Sequence, residues 1–395
     1  MSWLDDLVRS TAEAESPERF QYWSGLAAIS AMAKKNLHLD RYYYKLYPNI
    51  YVFLVGKSGL RKGNPVTFCK NLVREANSTR VIIGRNSIQA VLKELGKSYS
   101  IEGGGIIKDA IGFMVSGELA SFLVKDPEAL TILTDLYDTH ANEPEWRNTL
   151  KTAGIDVLKN PCLTLLGATN EAHFKEAVPS TAVSGGFIAR TLIVYEQKRR
   201  VINDLMDAPK VLPDIASLAG YLKEIAKCSG KFVISPPAKA EYREWYKKIS
   251  NSTQEDPTGT IERIGDTVLK VAMLLSLVDD TSLEIDAGNI EEAIFRCEEC
   301  LVGVQRVTLG EGKSNDAEVT ALILKDLLKR ADFRATRKQL LSKFWGHMDY
   351  IVLDRIMETL LRAGAINIQP AGKEVIYTMT RKTAEAYLKF KVELN

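Results

Sequence analysis

The spacing of apolar positions changes several times along the chain, and each change marks an element. Phe20, Trp23, Leu26, Ala27, Ile29, Ala31 and Met32 recur at helical spacing behind Ser16-Pro17-Glu18, a serine cap with proline in the first turn. Residues 3–35 therefore read as helices, and 42–47 as a tyrosine-rich lead into the next element. At Ile50 the spacing becomes an unbroken apolar run to Val55, too short for a helix and closed by glycine, which predicts a buried strand. Similar short runs return at 80–84, 111–115, 162–169 and 191–195. Helical stretches at 66–76, 88–95 and 130–138 alternate with them. Such alternation predicts a parallel sheet covered by helices on both faces, with ligands gathered at the carboxyl ends of the strands. Gly103-Gly104-Gly105 reads as a hairpin or loop, and 143–158 as an irregular polar surface excursion.

Beyond residue 200 the strand signal fades. A polar linker and helix fill 201–230, 251–260 is a loop, and amphipathic helices at 236–249, 261–278 and 286–304 read as a helical lid. Gly310 to Asn315 is a linker by composition. Helices at 316–331, 337–344 and 350–363 follow, then two short strands, 366–369 and 375–379, around Pro370-Ala371-Gly372-Lys373. Three helices and a hairpin predict a winged helix, with 350–361 as recognition helix and Lys373 at the wing tip. Such modules bind DNA or serve protein contacts, and the pattern leaves both open. The expected organisation is an N-terminal helical segment (1–46), an α/β core (47–200), a helical lid (201–310) and a winged-helix domain (311–395).

Composition narrows this only a little. The 395 residues suffice for two or three domains, and 46% apolar with 26% charged is ordinary for a soluble globular protein. No apolar run is long enough to span a bilayer, and the start, Met-Ser-Trp-Leu-Asp-Asp, lacks the features of a secretion signal. Five scattered cysteines fit a reducing cytoplasm. Cys297-x-x-Cys300 falls in a helical pattern without a second pair or a nearby histidine, so no metal site is expected there. A net charge of +2 says little about partners. The basic clusters at Lys198-Arg199-Arg200, 334–338 and Arg381-Lys382 are in the usual case solvated surface.

The candidate chemistry starts at the exit of the 50–55 strand. Gly56, Ser58, Gly59, Arg61, Lys62, Gly63 and Asn64 follow it, and a helix follows them. Glycines let backbone N–H groups turn into one concavity suited to phosphate oxygens. A lysine and a helix N-terminus add positive charge. Gly56 and Lys62 keep the spacing of the phosphate-loop pattern G-x-x-x-x-G-K-[ST]; Arg61 stands where its second glycine is expected, and Gly63 where its hydroxyl residue holds Mg²⁺. The alternative is a glycine-rich turn with one surface lysine.

Three further residues sit at predicted element ends. Glu118 follows the 111–115 strand, where a carboxylate can deprotonate an attacking water, or simply favour the next helix's N-terminus. The neighbouring Asp that would hold metal is replaced by Gly117. Asn170 ends the 162–169 strand, where an amide can sense the terminal phosphate; asparagine is also a common turn residue. Arg190 follows Ser184-Gly185-Gly186-Phe187-Ile188-Ala189, and an exposed arginine on glycines can reach a neighbouring subunit's nucleotide as an arginine finger, or be a surface residue.

Taken in order, Ser16-Pro17, Phe20 and Trp23, then Tyr47-Pro48-Asn49-Ile50-Tyr51-Val52 through Val55-Gly56, Ser58-Gly59 and Arg61-Lys62-Gly63, then Ser116-Gly117-Glu118-Leu119 and residues 184–190, resemble a family of phage and prophage P-loop proteins described as helicase/primase-like. The resemblance covers roughly residues 10–305 by motif. A more distant similarity is to AAA+ replicative helicases of the minichromosome-maintenance kind, through Asn170, Gly-Phe-Ile-Ala-Arg190, the lid and the terminal winged helix. Arg263-Ile-Gly-Asp266-Thr-Val-Leu-Lys270 loosely fits their lid motif and nominates Arg263 as a phosphate-sensing arginine, the alternative being a surface residue.

What the resemblance implies is an α/β P-loop NTPase (AAA+-like) core that binds ATP and Mg²⁺. It implies a ring, expected to be a homo-hexamer, that translocates on single-stranded or forked DNA beside a primase or polymerase, with no membrane partner. In that expectation Lys62 and the loop amides hold the phosphates, Glu118 activates water, Asn170 positions it, Arg190 acts across the interface, and the 103–108 segment lines the ring lumen. Two rival expectations stand beside it: a weakly or non-hydrolysing loader or scaffold, and a DNA-binding regulator that works through its winged helix.

Overall fold

A computed structural model describes residues 2–83, 87–96, 100–102, 105–107, 109–126, 128–138, 145–150, 154–178, 186–203, 214–251, 256, 258–308, 315–330, 332–345, 348–371 and 374–385. The chain divides into two compact units, Met1–Thr308 and Leu309–Asn395.

The first unit is an α/β fold around a mostly parallel sheet. Helices α1 (Trp3–Ser10) and α2 (Glu18–Ala33) lead to a hairpin, β1 (Leu37–Arg41) and β2 (Tyr44–Leu46), then to β3 (Tyr51–Gly56). Helix α3 (Gly63–Ala76), β4 (Val81–Ile83), α4 (Ile88–Leu95), the small hairpin β5 (Ser100–Glu102) and β6 (Gly105–Ile107), and β7 (Asp109–Ser116) follow. Next come α5 (Leu119–Lys125), α6 (Glu128–Tyr137), β8 (Glu145–Leu150), β9 (Gly154–Thr169), α7 (Glu171–Ala177) and β10 (Thr191–Glu196). The sheet order is β10-β3-β9-β7-β4, all neighbours parallel, with β8 antiparallel on the first part of β9.

The β3 strand shows why this sheet is central. Its residues are all buried, and alternate side chains enter different cores. Val52 and Leu54 join the layer built by the N-terminal helices, while Tyr51, Phe53 and Val55 join the layer containing residues of α4, α5, α6 and α7. An apolar run without alternation is what burial on both faces requires.

The segment after β10 packs onto the first of these layers. It comprises α8 (Ile215–Lys227), β11 (Gly230–Lys231), β12 (Val233–Ile234), α9 (Pro236–Ser250), α10 (Thr260–Ser276), β13 (Glu284–Ile285) and α11 (Ala287–Thr308). β11 extends the β1–β2 hairpin, pairing Leu37 with Gly230. A Cβ on Gly303 of α11 would meet the Ile193 carbonyl oxygen, so this helix lies directly on β10. Cys297 and Cys300 are buried here in the hydrophobic core.

Two expectations are corrected. Residues 145–150 and 154–159 form an antiparallel ladder, β8 against the start of β9, with Glu145 opposite Lys159 and Leu150 opposite Gly154; Trp146, Ile155 and Val157 are β-forming residue types that the polar neighbours outweighed in the sequence. Residues 37–46 are a hairpin rather than a lead-in, carried by buried Leu37, Leu39 and Leu46.

The second unit contains α12 (Asn315–Lys329), β14 (Arg334–Thr336), α13 (Arg337–Phe344), α14 (Tyr350–Arg362), β15 (Ile366–Ala371) and β16 (Glu374–Met379). Its sheet runs β14-β16-β15, antiparallel throughout. Ile323, Leu327, Leu340, Leu353, Ile356 and Met357 fill its core. Thr336 and Gln339 close a capping box on α13, and Asp349 caps α14. Lys373 lies outside the described residues, as do Gly103, Gly104 and Lys108. Among the described residues no helix is long and apolar enough to cross a membrane.

Candidate active site

Three adjacent strands, β3, β9 and β7, end at one edge of the sheet, and the residues after each meet around a cleft of about 300 Å³. Ser58, Gly59, Arg61, Lys62 and Gly63 come from the β3 exit; Gly117, Glu118 and Ala120 from the β7 exit; Thr169, Asn170 and His173 from the β9 exit. The sequence-nominated Lys62, Glu118 and Asn170 thus line one cleft although 108 residues separate the first from the last.

The β3 exit is a tight turn. A side chain on Gly56 would meet the Glu196 carbonyl oxygen of the neighbouring strand, and Gly59 has φ +87°, which favours glycine. Lys62 opens α3, and its Nζ donates to the carbonyl oxygens of Gly56 at 2.8 Å and Lys57 at 2.7 Å. The ammonium therefore bends back across the turn, and partial burial lowers its pKa. No side chain caps α3, and Pro65 in its first turn has no N–H to offer. Asn64 lies within the first turn, its N–H donating to the Arg61 carbonyl.

Arg61, which stands where the phosphate-loop pattern has glycine, has a left-handed φ of +54°. Its side chain explains how a non-glycine residue is held there. Arg61 Nε donates to Glu15 at 2.8 Å, Glu15 also pairs with Arg199, and the Ser16 hydroxyl donates to the Arg61 carbonyl at 2.9 Å. Arg199 Nε in turn donates to the Gly59 carbonyl at 3.1 Å. The Glu15 side chain is only 3% exposed, and the hydrogen bond from Arg61, with that from Arg199, holds its carboxyl below the usual range. The segment before α2 and the segment after β10 thus clamp the turn from outside. Sequence reasoning missed Glu15 and read Arg199 as solvated surface, because nothing local marks partners 46 and 184 residues apart.

Glu118 is the N-cap residue of α5, but its side chain makes no capping bond and is exposed at the cleft. Asn170 caps α7: its Oδ1 accepts from the His173 N–H at 2.8 Å, and its amide nitrogen lies 3.1 Å from His173 Nδ1. Asn170 is therefore both a helix cap and a cleft residue. His173 was not nominated; the Asn-x-x-His cap spacing was the available signal. A Cβ on Gly63 or Gly117 would meet nothing within 4 Å, so both positions are open space beside the cleft.

Arg190 and Arg263 are not in this cleft. Arg190 precedes β10, whose Thr191 pairs with Tyr51 at the start of β3; five strand steps, about 16 Å, separate that level from Gly56. Its side chain is 9% exposed rather than projecting, because Asp138 takes its Nε at 3.0 Å and also its Nη2, while Nη1 donates to the Gly186 carbonyl at 2.9 Å. Arg263, on α10, lies 3.8 Å from the same Asp138. The two arginines are thus brought together at the amino end of the sheet. Lys270, one of the next residues on α10 to face inward, is fully buried there. It donates to the Asn49 carbonyl at 3.1 Å and to Asn49 Oδ1 at 2.8 Å, stands over the Tyr137 ring, and has its pKa pulled down to about 8 by burial.

The cleft has positive character on one wall, from Lys62 and the uncapped N-terminus of α3, and a carboxylate and an amide, Glu118 and Asn170, on the other. Neither a protein-family model nor a curated protein sequence matches the chain.

Proposed function

We propose that the chain is an AAA+-like P-loop ATPase that acts on DNA as a ring, with its second unit a winged helix. The observation that carries this reading is the convergence of Lys62, Glu118 and Asn170 on one cleft at the carboxyl ends of β3, β7 and β9. Numbered along the chain, the five parallel strands stand in the order 5-1-4-3-2, so the strand bearing Asn170 lies between those bearing the Lys62 turn and Glu118. That arrangement lets the turn bind phosphate while the other two strand ends address its far side.

In this reading the loop amides and Lys62 hold the β- and γ-phosphates, Lys62 leaving the Gly56 and Lys57 carbonyls to do so. Glu118 accepts a proton from water as the water oxygen bonds to the γ-phosphorus. The bond from phosphorus to the bridging oxygen breaks, and its electron pair leaves with ADP. Asn170 and His173 stand where they can orient that water. Arg190 and Arg263 act on the triphosphate of a neighbouring copy, which requires Asp138 to yield them.

A divalent cation would neutralise triphosphate charge, but the two positions that hold it in the phosphate-loop pattern are glycines here. Gly63 and Gly117 offer no oxygen side chain, and no group of three His, Cys, Asp or Glu residues placed to hold a metal occurs among the described residues. The same feature favours the second reading, a slowly or non-hydrolysing loader or scaffold. The DNA-regulator reading draws less support, because on the exposed face of α14 Asp354 pairs with Arg337 and Glu358 with Arg362, leaving little free positive charge.

The test is ATP hydrolysis by the full chain with and without single-stranded DNA. Stimulation by the strand, absent in Glu118→Gln, is the expected result; a rate at background in both conditions replaces the motor with the scaffold.

A further inference from the structure

The β1–β2 hairpin ends in a feature that the cleft does not use. Its register, Asp40 opposite Lys45 and Arg41 opposite Tyr44, leaves Tyr42 and Tyr43 as a two-residue turn. These rings are 92% and 84% exposed, and they stand edge to face with centroids 4.5 Å apart. Tyr42 has φ +44°, a backbone state that glycine or asparagine adopts cheaply and tyrosine does not. A strained turn that holds two large rings in water needs a reason outside the fold.

The tip is held firmly from below. Leu37, Leu39 and Leu46 are buried, β11 pairs with β1, the Tyr44 hydroxyl donates to Asp266 at 2.7 Å, and Arg41 lies 3.6 Å from the same carboxylate. The charges around the tip are Arg41, Lys45 and Lys231 against Asp40 and Asp266, with Lys34 and Lys35 before the hairpin. Lys231 is engaged by Asp40, whereas Lys45 is exposed and makes no ion pair among the described residues.

We infer that the Tyr42–Tyr43 tip is a stacking platform for single-stranded nucleic acid, with Lys45 and Arg41 on the phosphates. Unpaired bases offer flat faces to exposed rings, and their backbone needs cations beside the rings. A stacked duplex offers such faces only after unstacking. The cross-strand pairs below the turn, Arg41 with Tyr44 and Asp40 with Lys45, place two cations beside the rings, as a phosphate backbone requires. Asp266, which anchors the tip, lies one helical turn from Arg263 on α10, so the tip is tied to the element that carries that arginine. The inference rests on the reading of the chain as a nucleic-acid-acting ATPase.

The experiment is fluorescence anisotropy of a labelled thirty-nucleotide oligo-dT titrated with full chain, nucleotide absent, over a series of salt concentrations. Tyr42→Ala/Tyr43→Ala should weaken binding at least about tenfold, Tyr42→Phe/Tyr43→Phe should bind like wild type, and Lys45→Gln should flatten the log–log salt slope by about 0.7. All three should keep wild-type ATP binding. Undiminished binding by the double alanine variant overturns the platform and leaves the ATPase reading intact. Loss of self-association by that variant in sedimentation, without loss of oligo-dT affinity, assigns the tip to a second copy instead. A wild-type chain that binds no strand while hydrolysing ATP overturns the platform and the nucleic-acid partner together.

Discussion

The two ends of the central sheet carry similar side chains in opposite conditions. At the carboxyl end Lys62 is tied only to backbone carbonyls, Glu118 is exposed without a capping bond, and open space adjoins Gly63 and Gly117. At the amino end Arg190 is nearly buried against Asp138, Arg263 approaches the same carboxylate, and Lys270 is spent on Asn49. The first end can accept an anion without breaking an ion pair. The second can do so only by exchanging Asp138 for it. The lesson is that a charged residue near a strand end is informative only once its counter-charge is known.

The sharpest way to break this contrast is to remove the arginine. If Arg190 works on a neighbour's nucleotide, Arg190→Ala should lower hydrolysis about 10³-fold while retaining ATP binding, and mixing it with Lys62→Ala chains should restore some activity. Equal hydrolysis in Arg190→Ala and wild type makes the Asp138 pairing purely structural.

Lys270 tests the burial half of the contrast. Its folded pKa, about 8, lies below the ordinary 10.5, so the unfolded chain binds more protons between those values and stability rises with pH across that window. The rise should approach about 3 kcal/mol and be missing in Lys270→Met, as read by denaturant titrations at pH 7.5 and 10.

The clamp on the phosphate turn comes next. Glu15→Gln should weaken triphosphate binding about tenfold by freeing Arg61 and Arg199, and a second change, Arg61→Gly, should recover much of the loss, because glycine needs no partner at φ +54°. Absence of that rescue in calorimetric titrations would separate the clamp from loop geometry.

The smallest effect is expected from filling the open space. Gly63→Ser places a hydroxyl where a Cβ meets nothing, and should raise Mg²⁺-dependent hydrolysis a few-fold without loss of stability. A magnesium titration that is unchanged would show that the ion does not approach this position.

Much of this architecture was legible because the central strands are short, wholly apolar and closed by glycine or a polar residue. The parallel order followed from the helices between them. The hairpin at 37–46 was not, since three leucines among polar and aromatic residues make too weak an alternation to outweigh the tyrosines. The cleft was legible as strand ends expected to serve one nucleotide, but their order, with β9 between β3 and β7, came only from the sheet. Arg190 was read as exposed from its glycines, and what covers it, Asp138, lies 52 residues away. Glu15 left no local mark at all. Pairings of this range are decided by the packed fold, and only the residue types are written locally.

The most direct measurement is equilibrium binding of a labelled, non-hydrolysable ATP analogue to the full chain, its Lys62→Ala variant and its Glu118→Gln variant, each checked for unchanged thermal melting. The account predicts binding by wild type and Glu118→Gln and a loss of at least about tenfold in Lys62→Ala. Equal affinity across all three chains, or none in wild type, would contradict it.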